Sequence, residues 1–192
     1  LIANYEAATC ILAFAQEQAE RYGGDPTHTV TYGFSAGAQL AAWLGLGHTT
    51  DVPKGCIAVD RPSPPVGVVL GDSEYFLHTG FFDGGFDTDL AGMQEFTAEI
   101  VDPARWPEDL SATFRIWYAE SSRGARSFVD AWARDGWLAQ RDPDGSIRED
   151  LDRLGLLDDG IISYLDEGEL LAHRLRRAGL DAAAYMHPGG HT

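Results

Sequence analysis

Basic residues are scarce in this chain. Its 192 residues include 14 Lys and Arg against 30 Asp and Glu, which gives a formal net charge of −16 at pH 7. A surface this acidic repels the phosphate backbone of nucleic acids and the headgroups of anionic lipids. We therefore expect no binding to nucleic acid.

Cysteine and long apolar runs are also rare. Cys10 and Cys56 are the two cysteines, too few and too far apart for a zinc cluster or a disulfide-rich scaffold. Because Cys10 lies within a helical apolar pattern, we interpret it as a small core residue rather than a reactive thiol. No apolar run reaches the ~18 residues that span a bilayer, so we expect no membrane span. The amino end lacks the pattern of a signal peptide, which makes the cytoplasm the default expectation, although the sequence starts at Leu1 and upstream residues are expected to be missing.

The remaining composition is that of an ordinary globular protein. Hydrophobic residues make up 44% of the chain, aromatic residues 11% and charged residues 23%, which are values typical of folded domains. The length suits one domain with its own core. We predict a single domain over residues 1–192, with residues 121–157 as an insertion.

Apolar periodicity predicts strands that alternate with helices. The predicted helices cover residues 4–22, 38–46, 91–101 and 166–178, and the predicted strands cover residues 28–32, 66–70, 113–119 and 181–186. On the first helix, the predicted apolar side comprises Ala7, Cys10, Ile11, Phe14 and Ala15. The uninterrupted apolar strand at 66–70 is typical of a strand buried on both faces of a parallel sheet. We therefore predict an α/β fold whose mostly parallel sheet is flanked by helices.

One motif carries chemistry. Gly33-Phe34-Ser35-Ala36-Gly37 fits the G-x-S-x-G pattern of a nucleophile elbow, and it lies between a predicted strand and a predicted helix as that turn requires. In so sharp a turn we expect a side chain at either glycine position to collide with its surroundings. We predict that Ser35 is a nucleophile, which needs a histidine to accept its proton and a carboxylate to orient that histidine.

With these residues, the segments 22–26, 40–44 and 188–191 complete a pattern that resembles the α/β-hydrolase family, especially its carboxylesterase and lipase-like members. The resemblance is clear over residues 3–46 and 159–192. It implies cleavage of a small-molecule carboxylic ester through an acyl-enzyme, with neither a metal nor an organic cofactor. Family members usually have several strands before the nucleophile, so we expect an incomplete domain that lacks its amino-terminal strands.

The resemblance also implies roles for particular residues. The family's catalytic base follows its last strand, which corresponds to His191, with His187 as the fallback. One of the two backbone N–H groups that hold the oxyanion belongs to the residue after the nucleophile, here Ala36. The motif or loop that would supply the second is not found before Ser35. The other histidines are interpreted as loop or helix-surface residues: His28, His48, His78 and His173.

The sequence defines the carboxylate that orients the histidine less sharply. The family usually places it after the strand that corresponds to residues 113–119, where Glu120 begins the loop. The loop from Asp159 resembles the family's acid-containing loop more closely, which makes 121–157 an insertion before it. We predict Asp159 as the acid and keep Asp158, Glu120 and Asp166 as alternatives.

Other interpretations stay open. The segment 71–74 resembles the serine block of GDSL-type hydrolases, but the Asp-x-x-His pair of that family does not occur near His191. A non-catalytic hydrolase-fold domain that binds a ligand or a partner, and a serine peptidase of the same fold, are the alternatives to an esterase. Four aromatic residues either line an acyl or alcohol pocket or pack in the core: Tyr75, Phe76, Phe81 and Phe82.

Overall fold

A computed structural model of the chain describes residues 2–48, 52–58, 60–73, 100, 102–119, 126–128, 144–157 and 161–188. Its helices and strands are α1 (Ile2–Ala19), β1 (Val30–Phe34), α2 (Ala36–Gly45), β2 (Gly67–Gly71), β3 (Thr113–Ala119), β4 (Arg126–Phe128), α3 (Ser146–Arg153), β5 (Ile161–Ser163), α4 (Tyr164–Arg177) and β6 (Ala182–His187). Short 3-10 turns occupy Glu20–Tyr22 and Pro103–Arg105. Over this part of the chain, no helix is both long and apolar enough to cross a membrane.

Four strands form a parallel sheet in the order β1-β2-β3-β6. Strands β4 and β5 form a separate antiparallel pair. The predicted parallel α/β architecture is thus confirmed, and the predicted strand 113–119 is confirmed at both ends. The predicted helix 91–101 lies outside the described residues apart from Ile100.

Helices α2 and α4 lie on one face of the sheet, and α1 packs against α2. On α2, a Cβ added at Gly45 would meet Val68 and Phe114, and on α4 one added at Gly168 would meet the ring of Tyr118. These strand residues share one face because side chains two positions apart point the same way. All three are buried, so the hydrophobic core lies between this face of the sheet and the helices.

The other face of the sheet is more open. Val30 and Tyr32 on the edge strand β1 are 58% and 65% exposed. Phe34 and Trp117 lie on the same face further along, with their ring centroids 5.7 Å apart. Aromatic side chains therefore lie on this face at the carboxyl end of the strands.

The buried side of α1 differs from the predicted one. Ile11 is 69% exposed and Phe14 41% exposed, whereas Leu12 and Ala13 are buried. Helix α1 packs against α2 through its amino-terminal half, where Tyr5 lies 4.9 Å from the ring of Trp43. Apolar residues occur on more than one side of this helix, so periodicity alone selected the wrong side.

The two cysteines form a disulfide, which corrects the interpretation of Cys10 as a separate small core residue. Cys10 on α1 bonds Cys56, with their Cα atoms 5.7 Å apart and a sequence separation of 46 positions. The same connection is bound to α1 by Gln16, whose side-chain amide donates to the carbonyl of Ser63 and accepts from its N–H. The segment between α2 and β2 is therefore held on α1 by one covalent bond and by hydrogen bonds.

A buried ion pair joins α3 to α4. Asp150 accepts from Nε of Arg174 at 3.0 Å, and both side chains are 7% exposed. Arg153 and Arg177 contact the same carboxylate at 3.2 and 3.1 Å from more exposed positions. Helix α3 falls inside 121–157, whose assignment as an insertion stays a prediction.

Candidate active site

Ser35 occupies a strained turn between β1 and α2. Its backbone has φ 52° and ψ −130°, a conformation that side-chain-bearing residues seldom adopt. Its N–H donates to the carbonyl of Gly71 at 2.8 Å, and its carbonyl accepts from the N–H of Ala38 at 2.8 Å. The first bond ties the turn to β2 and the second starts the helix, so both neighbouring elements hold Ser35 in this conformation.

The two glycines of the motif have different roles. A Cβ at Gly33 would overlap the carbonyl oxygen of Gly37 and lie 2.6 Å from Cα of Ala38. These are backbone atoms, so only glycine fits there. A Cβ at Gly37 would meet no described atom within 4 Å. The expected collision is confirmed at Gly33 and is wrong at Gly37, because the backbone of the first helical turn approaches β1 at Gly33 only.

The N–H next to Ser35 lies at a helix terminus. Ala36 is the first residue of α2, and the first four N–H groups of a helix have no acceptor within it. The aligned peptide dipoles also place partial positive charge at this end. The turn at Ser35 therefore places a backbone donor and the positive end of the helix dipole beside the serine.

The register brings the ends of neighbouring strands to the same edge. Phe34 pairs with Gly71, Gly71 with Trp117, and Ala119 with His187. Ser35 thus follows β1 beside Asp72, which follows β2. Because the four strands are parallel, β3 and β6 end at this edge as well, so the carboxyl ends of all four strands meet there.

Asp72 was not among the predicted site residues. It is fully buried, and its φ of 47° makes it, with Ser35, one of two non-glycine residues with positive φ in the described part. Its N–H donates to the carbonyl of Trp117 at 2.8 Å, and its Oδ1 accepts from the N–H of Ala119 at 3.3 Å. A carboxylate two residues after the predicted strand 66–70 was the available signal.

His187, the fallback base, packs on the aromatic face of the sheet. It ends β6, is exposed, and lies edge-on to Trp117 with ring centroids 5.8 Å apart. This contact directs it toward the open face.

Several predicted residues lie outside the described part of the chain. They are the acid and its neighbours Asp159, Asp158 and Glu120, the base His191, and the pocket residues Tyr75, Phe76, Phe81 and Phe82. Their roles stay predictions. The remaining alternative acid, Asp166, lies in the first turn of α4 and is partly buried.

Three of the four histidines interpreted as structural are described. The ring of His28 bonds Asp25 at 2.7 Å, and hydrogen bonds from Thr27 and then His28 lower the pKa of Asp25 to about 2. His48 stacks on a tryptophan of α2. Burial lowers the pKa of His173 on α4. The rings of His28 and His48 thus bond or pack on a local neighbour, whereas the side chain of His173 is 19% exposed and lies mostly buried rather than on the surface of its helix.

Comparisons with known proteins relate the fold of this chain to solved structures. No protein-family model matches the sequence, and no curated protein matches it either. Among solved structures, it is similar to an esterase from Thermogutta terrifontis with butyrate bound, at 14% identity and TM-score 0.52, over 97% of this chain and 54% of that one. An acetyl ester-xyloside bifunctional hydrolase from Caldicellulosiruptor lactoaceticus has 16% identity and TM-score 0.57, over 95% and 54%. A truncated carbohydrate esterase from gut microbiota has 13% identity and TM-score 0.52, over 97% and 60%.

These structures define the class of fold. The chain has the α/β-hydrolase fold, as the sequence predicted, and its similar structures are esterases of that type. It spans 54 to 60% of the length of these three structures. The four-stranded parallel sheet with its flanking helices therefore corresponds to about half of their fold, in agreement with the expected incomplete domain.

Proposed function

We propose that the protein containing this chain is a serine hydrolase that cleaves carboxylic esters through an acyl-enzyme. The observation that carries the proposal is the strained turn at Ser35, which only glycine at position 33 permits. A folded chain does not hold a serine in an unfavourable backbone conformation without some compensating use. The three similar structures are two esterases and an acetyl ester-xyloside hydrolase, which supports the same activity.

The reaction proceeds in two halves. Oγ of Ser35 attacks the ester carbonyl while His191 accepts the serine proton, and the backbone N–H of Ala36 donates to the resulting oxyanion. The tetrahedral adduct collapses as the bond to the alcohol breaks, and His191 returns its proton to the leaving alcohol oxygen. Water then attacks the acyl group with His191 again as the base, which releases the acid and restores Ser35. A carboxylate, predicted from the sequence as Asp159, orients the histidine.

Protein groups supply every step, so the reaction requires neither a metal nor an organic cofactor. A second oxyanion donor comes from polypeptide outside the part of the chain described above. The pocket that receives the acyl or alcohol group includes the aromatic residues after β2, namely Tyr75, Phe76, Phe81 and Phe82. Loss of a single oxyanion donor typically lowers the rate ~10²–10³-fold, so we expect the complete gene product to be far more active than residues 1–192.

A burst experiment tests the proposal. The complete gene product is mixed with p-nitrophenyl acetate and p-nitrophenyl butyrate, and a fluorophosphonate probe is applied in parallel. We expect a burst of p-nitrophenol and covalent labelling, both of which Ser35→Ala abolishes. Ser73→Ala is the matched control, because Ser73 is a buried serine at the same edge of the sheet and belongs to the alternative segment 71–74.

Each outcome separates the alternatives. A burst that survives Ser35→Ala but not Ser73→Ala would replace the proposed nucleophile with the other serine. A folded gene product that neither turns over esters nor reacts with the probe would favour a non-catalytic binding domain. Labelling at Ser35 with turnover of p-nitroanilides but not of esters would identify a peptidase.

A further inference from the structure

We propose that the free edge of β1 and the exposed apolar side of α1 form one docking surface for the polypeptide that precedes residue 1 in the complete gene product. That polypeptide adds a parallel strand to β1 and covers Ala7, Ile11 and Phe14 on α1. The inference concerns an interaction surface and does not depend on the esterase function proposed above.

One edge of β1 faces away from the rest of the sheet. Among the strands that the structure describes, β2 is the single paired neighbour of β1. The N–H of Ser35 donates to the carbonyl of Gly71 on β2. Backbone groups alternate between the two edges along a strand, so those of Val30 and Tyr32 face the free edge. Both side chains are more than half exposed, and such an edge is a template for pairing with another strand.

The opposite edge of the sheet, at β6, is better protected. The N–H of Phe114 on β3 donates to the carbonyl of Asp181, so the next residue, Ala182, directs its carbonyl to the outer edge. This carbonyl accepts from the guanidinium of Arg176 on α4 at 3.2 Å. Proteins protect edge strands by covering them, or by placing charged residues or proline in them. Strand β1 contains neither a charged residue nor a proline, so it is the edge suited to receive a strand.

Helix α1 has an exposed apolar side next to this edge. Ala7, Ile11 and Phe14 follow each other at intervals of four and three, which places them on one side of the helix. All three are exposed, whereas Leu12 on the other side is buried. The side-chain amide of Gln16, near the end of α1, donates to Oγ1 of the residue that precedes β1 at 3.2 Å. An apolar row of this kind normally packs against a neighbouring element.

The order of the elements indicates which segment fills this position. Leu12 of α1 belongs to the same buried cluster as Val68 and Phe114, so α1 lies on the same face of the sheet as α2. Crossovers between parallel strands are right-handed in ~98% of cases. Two right-handed crossovers on one face advance in the same direction across a sheet, and the crossover through α2 leads from β1 to β2. A parallel strand before α1 therefore lies on the other side of β1, at its free edge.

The size of the similar structures agrees with an occupant from the same polypeptide. This chain spans 54 to 60% of the length of the three structures described above. The remainder of a fold of that size provides enough polypeptide for further strands. A second copy of the chain or a separate partner is therefore not needed to cover the docking surface.

Residue-resolved amide hydrogen exchange of the complete gene product tests the edge of β1. The N–H groups of Thr31 and Gly33 face β2, by the alternation that Ser35 sets, and they serve as the internal reference. We expect Val30 and Tyr32 to exchange within about tenfold of this reference, because all four N–H groups are hydrogen-bonded once a strand is added. At a free edge, Val30 and Tyr32 would exchange at least ~100-fold faster than the reference.

A matched pair of substitutions tests the side of α1. Ile11 and Ile57 are 69% and 74% exposed, but Ile57 lies on the connection between α2 and β2, outside the docking surface. In the complete gene product we expect Ile11→Asp to lower the melting temperature by roughly 6 °C or more, because it places an unpaired carboxylate in a covered apolar surface. Ile57→Asp should change the melting temperature by less than about 2 °C.

Each outcome supports or overturns the proposal. Exchange at Val30 and Tyr32 that is ~100-fold faster than the reference overturns it, as does an equal effect of the two isoleucine substitutions. Slow exchange found only in a dimer, separated from the monomer by size-exclusion chromatography, assigns the edge to a second copy and also overturns it. If Ile11→Asp does not fold while Ile57→Asp does, the covered side of α1 is supported and wild-type exchange decides the edge. These readouts do not require ester turnover, so a failure of the proposed function is distinguishable from a failure of this inference.

Discussion

Removal of the Cys10–Cys56 disulfide should lower the free energy of unfolding of this protein. The bond joins two cysteines that are 46 positions apart in sequence, and it closes a loop that contains β1, the Ser35 turn and α2. Loop-closure entropy for about 46 residues corresponds to about 4 kcal/mol at 25 °C. The hydrogen bonds between Gln16 and Ser63 do not depend on the disulfide. We therefore expect the reduced protein to keep its fold and to lose free energy of unfolding.

Urea unfolding of three samples measures this effect: the oxidised wild type, the wild type in dithiothreitol, and the double variant Cys10→Ser/Cys56→Ser. With a slope of about 2 kcal/mol per molar urea, a loss of about 4 kcal/mol lowers the midpoint by about 2 M. Dithiothreitol should leave the double variant unchanged. A midpoint for the reduced wild type within about 0.5 M of the oxidised one would refute the reasoning, as would free thiols in the denatured oxidised protein.

Three further predictions concern single side chains. Gly33→Ala should abolish ester turnover and lower the free energy of unfolding by a few kcal/mol. Gly37→Ala should leave the free energy of unfolding in urea unchanged or raise it by up to ~1 kcal/mol. Equal effects of the two substitutions would contradict the steric difference between the two positions. Arg174→Ala removes the buried partner of Asp150 and should lower the free energy of unfolding by about 3–5 kcal/mol. Substitution of the more exposed Arg153 by Ala should lower it by less than about 1 kcal/mol. A lower urea midpoint for Arg153→Ala than for Arg174→Ala would refute this prediction. Burial lowers the pKa of His173, so the unfolded state binds more protons and stability falls as the pH drops below about 6.5. His173→Gln should flatten that decline between pH 8 and 5 in chemical unfolding, and an unchanged slope would contradict it.

The disulfide also bears on where the protein folds. Disulfides persist mainly in oxidising compartments, so the Cys10–Cys56 bond argues against the cytoplasm as the default expectation. The sequence contained both cysteines, but not their proximity. Their 46-residue separation gives no local signal, because only the packing of α1 beside the segment after α2 brings them together.

The class of fold was predictable because it depends on local patterns. The apolar run at 66–70 and the alternation at 113–119 are properties of short segments, and both correspond to strands of the parallel sheet. The turn at Ser35 was predictable for the same reason, since the requirement for glycine at position 33 arises within a few residues of the chain. Strand β1 begins and ends two residues later than the predicted strand 28–32. The reason is that Asp25, Thr27 and His28 bond one another and extend the preceding turn.

By itself, the sequence determined the approximate positions of the four parallel strands and of helices α1, α2 and α4, and where a strained serine would lie between β1 and α2. Tertiary structure decided which side of α1 is buried, how the cysteines pair, and that the residue after β2 lies beside Ser35. These features depend on contacts between segments far apart in sequence, and hydrophobic periodicity carries no record of such contacts. Asp72 shows the difference most clearly: its position in the chain is unremarkable, and its proximity to Ser35 exists only because β2 pairs with β1 in one register.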